Sequence, residues 1–208
     1  MGIAAQIPAR LKYLALGDSY SIGEGVSKDQ RWPNQLVDIL NAEGFQIDSP
    51  EIIATTGWRT DNLINAIQIS HRKPVYDLVS LLIGVNNQYQ GKSIDQFRVD
   101  LVRLGEMAVQ LAKNKKENVF VVSIPDYGYT PYGFKSKDKI SSELNVFNDY
   151  ISQFCKSKGI AFINITDISR EGLEDPSLLA PDGLHPSGKM YNRWAVRIAS
   201  QIKNLLVA

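Results

Sequence analysis

Hydrophobic positions along this chain follow two rhythms, and the switch between them marks its elements. Tyr13-Leu14-Ala15-Leu16 is a continuous apolar run that stops at Gly17-Asp18-Ser19. Leu78-Val79-Ser80-Leu81-Leu82-Ile83 is nearly as continuous, which predicts a strand buried on both faces, as in a parallel sheet. Similar runs at Ile47–Thr55 (interrupted by Pro50), Val119–Ile124 and Ile160–Ile165 predict the other strands. Between them the apolar spacing is helical. Trp32–Leu40 ends at Asn41 and Gly44, and a short helix spans Asp61–Ile69. Ser93-Ile94-Asp95-Gln96 reads as a capping box opening a helix to about Lys113. Leu144, Phe147, Ile151 and Phe154 share one face of a helix over Ile140–Lys158, stopped by Gly159. Met190, Trp194, Ile198 and Ile202 form the apolar stripe of the last helix.

This alternation predicts an α/β protein, a parallel five-stranded sheet with helices on both faces. The 208 residues suit one domain over 1–208. In such a sheet the functional loops gather at the carboxyl ends of the strands. Ser19, Gly57, Asn86 and the loop at Pro125 each follow a predicted strand.

Composition narrows the function. A net charge of +1 and no basic stripe give no footprint for nucleic acid. No apolar run is long enough to suggest a membrane span. Met1–Arg10 lacks the basic start and apolar stretch of a signal peptide, so the chain as written reads as cytoplasmic. A leader already removed would make it secreted or periplasmic. The single cysteine, Cys155, falls on an apolar helix face and reads as a small buried hydrophobe.

Ser19 is presented where the first strand ends, and a serine nucleophile needs a general base. Of the two histidines, His71 lies in the charged segment Ser70-His71-Arg72-Lys73-Pro74 and reads as a surface residue. His185 follows Asp182 by three residues, so in a turn the carboxylate can accept a hydrogen bond from the imidazole and fix its tautomer. A turn-forming role for this pair is the bland alternative. Donors for an oxyanion are available at the backbone of Ser19, at Gly57 and at the Asn86 amide. A phosphate-binding loop is excluded because Gly17–Lys28 has no Gly-Lys-Ser/Thr ending, and Gly17, Gly23 and Gly25 do not give the dinucleotide-binding spacing.

Together these residues resemble the SGNH, or GDSL, hydrolase family of esterases and lipases. Its first block appears as Gly17-Asp18-Ser19-Tyr20-Ser21, the second block's glycine as Gly57, the third block as Gly84-Val85-Asn86-Asn87, and the last as Asp182-Gly183-Leu184-His185. The resemblance implies a flavodoxin-like three-layer α/β/α sandwich. It implies Ser19 as nucleophile, His185 as base and Asp182 as its orienter. Ser19, Gly57 and Asn86 would form the oxyanion hole, with no cofactor and no metal. Asn87 stands where the family carries aspartate, which leaves open which asparagine faces the hole. Trp58, Asn87 and Tyr127 are candidate substrate contacts, within an aromatic set that includes Trp32 and the loop Tyr127–Phe134.

The expected partner is a small-molecule ester with a short acyl group, an acetyl group on a carbohydrate being the first expectation. A lysophospholipase or thioesterase would use the same site. A ligand-binding module without catalysis is the reading from another class. Oligomeric state is not legible here.

Overall fold

The computed structural model describes residues 10–206. The segment read above for a leader therefore lies, apart from Arg10, outside the described residues. Five strands, β1 (Tyr13–Gly17), β2 (Glu51–Ala54), β3 (Leu78–Leu82), β4 (Val119–Val122) and β5 (Ala161–Ile163), form one sheet. All four pairings are parallel, and the spatial order is β2-β1-β3-β4-β5. The principal helices in chain order are α1 (Ser19–Ile22), α2 (Trp32–Ala42), α3 (Thr60–Ile69), α4 (Val85–Tyr89), α5 (Ile94–Leu111), α6 (Lys137–Lys158), α7 (Thr166–Ser169) and α8 (Gly188–Ile202).

The strand order dictates the layers. The crossover from β1 to β2 runs one way along the sheet, while those reaching β3, β4 and β5 run the other. Because parallel crossovers are right-handed, the two directions place their helices on opposite faces. The packing agrees: α2 lies against α8, whereas α3 packs on α5 and α5 on α6. On α8, Met190, Trp194, Ile198 and Ile202 are all buried, each worth about 1.5–3 kcal/mol relative to exposure.

Three helices were not legible as helices. The segments α1, α4 and α7 are single turns, too short to show a period, and α1 and α4 occupy what the sequence suggests are plain turns after strands. Strand β2 is shorter than expected. Before Pro50 the chain pairs at the sheet margin as an isolated parallel bridge between Leu11 and Ile47 rather than as part of the strand. The capping box at Ser93 is half formed: its hydroxyl accepts from the Asp95 N–H at 3.1 Å, but the Gln96 amide turns to Asp100 instead.

The register of the central strands matters most for the site. Gly17 pairs with Ala54 of β2 on one side and with Leu82 of β3 on the other. The three strands therefore end at one level, and the residues that follow each leave the sheet side by side. The order of connections reverses between β1 and β3, which is where an open α/β sheet forms its crevice.

Candidate active site

Asp18 leads out of β1 and caps α1, its Oδ1 accepting the Tyr20 N–H at 3.1 Å. That cap starts a helix at Ser19, whose N–H is one of the first-turn donors a helix leaves unpaired. Among the described residues the Ser19 N–H has no protein acceptor. The carboxyl of Asp18 is fully buried, and burial pushes it up to about 7 against the weaker opposing hydrogen bonds.

After β2 the chain makes a turn closed by the Trp58 N–H on the Thr55 carbonyl at 3.2 Å. Gly57 takes its third position with φ +82°, the left-handed conformation that glycine adopts without strain. Its N–H likewise has no protein acceptor among the described residues. After β3, Gly84 opens α4 at φ +129°, and a Cβ there would stand 2.7 Å from the Phe97 ring and 2.8 Å from Ile124 Cδ1. Only glycine fits this position, and it aims the next residues.

The two asparagines then part company. Asn86 faces a cavity, and its Nδ2 donates to the Trp58 carbonyl at 2.9 Å, which leaves the second amide hydrogen directed elsewhere. Asn87 is buried on the other side. Its Oδ1 accepts the Thr60 N–H at 3.1 Å and its Nδ2 donates to Thr60 Oγ1 at 2.8 Å. Thr60 in turn donates to Asp100 at 2.7 Å. The expectation of Asn87 as a substrate contact is corrected by this geometry: its amide is spent on the start of α3. Trp58 meets Asn86 through its carbonyl, and its half-buried ring packs against the core. Trp32 is wholly buried and is not among the residues that line this cavity.

His185 is held by a tight loop before α8. Its carbonyl accepts the Ala180 N–H at 2.8 Å, and Gly183 closes a turn back onto Ala180 at 3.0 Å. Asp182 Oδ1 accepts both the Leu184 and His185 N–H groups at 2.9 Å, and Oδ2 lies 2.7 Å from His185 Nδ1. Partial burial would raise the Asp182 carboxyl, but these three hydrogen bonds outweigh it and hold it below its ordinary value. The imidazole rests beside the buried Tyr20 ring, with centroids 5.7 Å apart. His71, by contrast, is exposed at the end of α3. The Cys155 thiol is buried and pushed up to about 12 by that burial, so it is inert at neutral pH.

Ser19, Gly57, Asn86, Tyr127 and His185 line one cavity of about 150 Å³. Among the described residues no hydrogen bond joins the side chains of Ser19 and His185. Such bonds are often long without substrate and tighten in the complex. Tyr20, Thr56, Val85, Tyr89, Tyr132 and Leu184 complete the lining. Sequence reasoning did not assign these six, although Tyr20, Val85 and Leu184 sit inside its own motifs and Tyr132 within its aromatic loop. Among the described residues no group of three or more His, Cys, Asp or Glu could hold a metal ion, and no helix is long and apolar enough to cross a membrane.

The model of the GDSL-like lipase/acylhydrolase family matches residues 15–193. No curated protein sequence matches this chain. Solved structures with the same fold include the psychrotrophic esterase EstA from Pseudoalteromonas sp., at 20% identity and TM-score 0.70, covering 95% of this chain and 99% of that one. TesA matches at 18% identity and TM-score 0.66, covering 94% and 99%. The lipase/acylhydrolase from Enterococcus faecalis matches at 18% and 0.68, covering 93% and 96%.

Proposed function

Since this chain belongs to the GDSL-like lipase/acylhydrolase family and is a carboxylic ester hydrolase, we propose that Ser19 is its nucleophile, His185 its base and Asp182 the group that orients that base. The observation that carries this reading is the shared cavity. The imidazole, fixed at Nδ1 by Asp182, and Ser19 face the same 150 Å³ space together with three donors that could meet an oxyanion.

With Nδ1–H given to the carboxylate, Nε2 is the free base. It takes the Ser19 proton as Oγ attacks the ester carbonyl. Negative charge develops on the carbonyl oxygen. The Ser19 N–H, the Gly57 N–H and the free Asn86 amide hydrogen stabilise it, each without breaking a bond within the protein. The C–O bond to the alcohol then breaks, and the alcohol oxygen receives the proton that His185 carries. Water, deprotonated by the same nitrogen, attacks the acyl group on Ser19 and releases the acid.

The acyl group is short. The cavity is small, and Tyr127 lines it with a ring whose hydroxyl donates to Gln88 at 2.9 Å. The Pseudoalteromonas esterase of the same fold is inhibited by monoethylphosphonate, and a phosphonate reagent is accordingly a natural probe of Ser19. The test is hydrolysis of nitrophenyl esters from two to twelve acyl carbons, with Ser19→Ala alongside. Turnover that falls with chain length and vanishes in the variant supports the reading. A preference for long acyl chains points to a lysophospholipase or thioesterase. Equal rates in a folded Ser19→Ala protein refute the nucleophile.

A further inference from the structure

Beside the catalytic cavity lies a second chamber of about 320 Å³ that shares Tyr89, Tyr127 and Tyr132 with it. The Tyr89 and Tyr132 hydroxyls are hydrogen-bonded at 2.5 Å, and both rings are more than half exposed. The Tyr89 ring also meets the Tyr127 ring edge-on, with centroids 6.1 Å apart. The chamber is therefore walled by aromatic faces on the side it shares with Ser19.

Its far side is polar. The Tyr127 hydroxyl donates to Gln88 Oε1 at 2.9 Å, and Gln88 Nε2 donates to Glu143 Oε2 at 2.7 Å. The other Glu143 oxygen lies 3.9 Å from Lys139 Nζ. A chain of hydrogen-bonding groups thus runs from the catalytic cavity to the chamber's outer rim. Glu143 and Lys139 stay in contact with water, so their remaining donor and acceptor capacity is open to a ligand.

We infer that this chamber holds the alcohol half of the ester, and that the alcohol is polyhydroxylated, with the chemistry of a sugar. The inference rests on the serine esterase reading above and extends it to the leaving group. An acyl tail in this chamber would strip water from Glu143 and Lys139 without replacing their hydrogen bonds. A sugar ring instead offers hydroxyls to the carboxylate, amide and ammonium groups, while its apolar C–H faces cover the tyrosine rings. Aromatic walls with a few placed polar groups are the usual makeup of a small-molecule site. The ester bond breaks at the carbonyl carbon, the sugar oxygen keeps the bonding electrons and takes the proton from His185, and the freed sugar leaves from the chamber while the acyl group remains on Ser19.

The test holds the acyl group constant and changes only the alcohol. The kcat/KM for 6-O-acetylglucose is compared with that for nitrophenyl acetate, in the unaltered enzyme and in Glu143→Ala and Lys139→Ala, two residues that line the chamber and not the catalytic cavity. Each variant is expected to lower the ratio of the two values at least tenfold, chiefly through a higher KM for the sugar ester. A ratio that stays constant, including one where both substrates lose equally, overturns the chamber's role. So does an unaltered enzyme that cleaves hexyl acetate in preference to 6-O-acetylglucose. If the unaltered enzyme cleaves nitrophenyl acetate but not the sugar ester, the inference fails and the esterase reading stands. If it cleaves neither and a fluorophosphonate leaves Ser19 unlabelled, both fall together.

Discussion

Asp182 grips His185 with both carboxylate oxygens. Oδ2 lies 2.7 Å from Nδ1 of the ring, and Oδ1 accepts the backbone N–H of the same residue at 2.9 Å. One side chain thereby sets the position of the loop and the tautomer of the imidazole. Asp182→Asn keeps an oxygen for the backbone N–H groups but presents an amide NH₂ to Nδ1, which favours the tautomer with its proton on the wrong nitrogen. The expected cost is about 10³–10⁴ in kcat with an unchanged melting temperature. Steady-state rates on nitrophenyl acetate and a thermal melt measure both.

Asn86 and Asn87 are adjacent in sequence, but changing them has different consequences. Asn86→Ala removes an oxyanion donor and is expected to lower kcat about 10²–10³-fold with little effect on stability. Asn87→Ala leaves the buried Thr60 N–H without its acceptor and takes one donor from the Thr60 hydroxyl, which still donates to Asp100, at a cost of about 1–3 kcal/mol. For a chain of this size each kcal/mol lowers the melting temperature by about 2–4 °C. The same rate and melting assays separate the two. A kcat loss in Asn87→Ala as large as in Asn86→Ala would contradict the assignment.

Asp18 makes stability depend on pH. Burial holds its carboxyl neutral up to about pH 7, whereas in the unfolded chain it ionises near its ordinary value of 3.8. Its folded-state pKa is raised, so its contribution is fully present below about pH 4. It is lost as pH rises to 7, and is constant above. The span corresponds to on the order of 4 kcal/mol. Asp18→Asn can still accept the Tyr20 N–H and does not ionise. The variant is therefore expected to gain stability relative to the parent between pH 4 and pH 7. Denaturant melts across that range follow the difference, and parallel curves for the two proteins would show that Asp18 is ionised in the fold.

Cys155 offers a contrast within the core. Its thiol is fully buried, so Cys155→Ser moves a more strongly hydrated hydroxyl into the core, at about 1–3 kcal/mol. Turnover at a temperature where the variant stays folded should match the parent. Maleimide should label the native parent only slowly. Rapid labelling of the folded parent would show the thiol to be accessible.

Much of this architecture was legible because buried parallel strands carry continuous apolar runs. Leu78–Ile83 could hardly be read otherwise, and the stripe from Met190 to Ile202 named the inner face of α8. Ser19, Gly57 and Asn86 were legible for a related reason: each follows a strand, where a run of apolar residues breaks near a glycine, whereas Asp182 and His185 were legible from their three-residue spacing just before α8. What escaped was set by tertiary geometry. The single turns α1 and α4 have no period to detect. The choice between Asn86 and Asn87 depended on which way α4 rolls, which the close fit of Gly84 against Phe97 and Ile124 decides. Tyr89 and Tyr132 are 43 residues apart and meet only because α4 and the loop after β4 leave the same edge of the sheet.

The central claim is that Ser19 is an activated nucleophile and not simply a capped serine in a turn. Incubation with a fluorophosphonate, followed by mass mapping of the adduct in the parent protein and in His185→Ala, tests it most directly. The account predicts one covalent adduct, on Ser19, forming rapidly in the parent and at least a hundredfold more slowly without the imidazole. An unlabelled Ser19 in folded parent protein, or labelling at the same rate in both proteins, would contradict it.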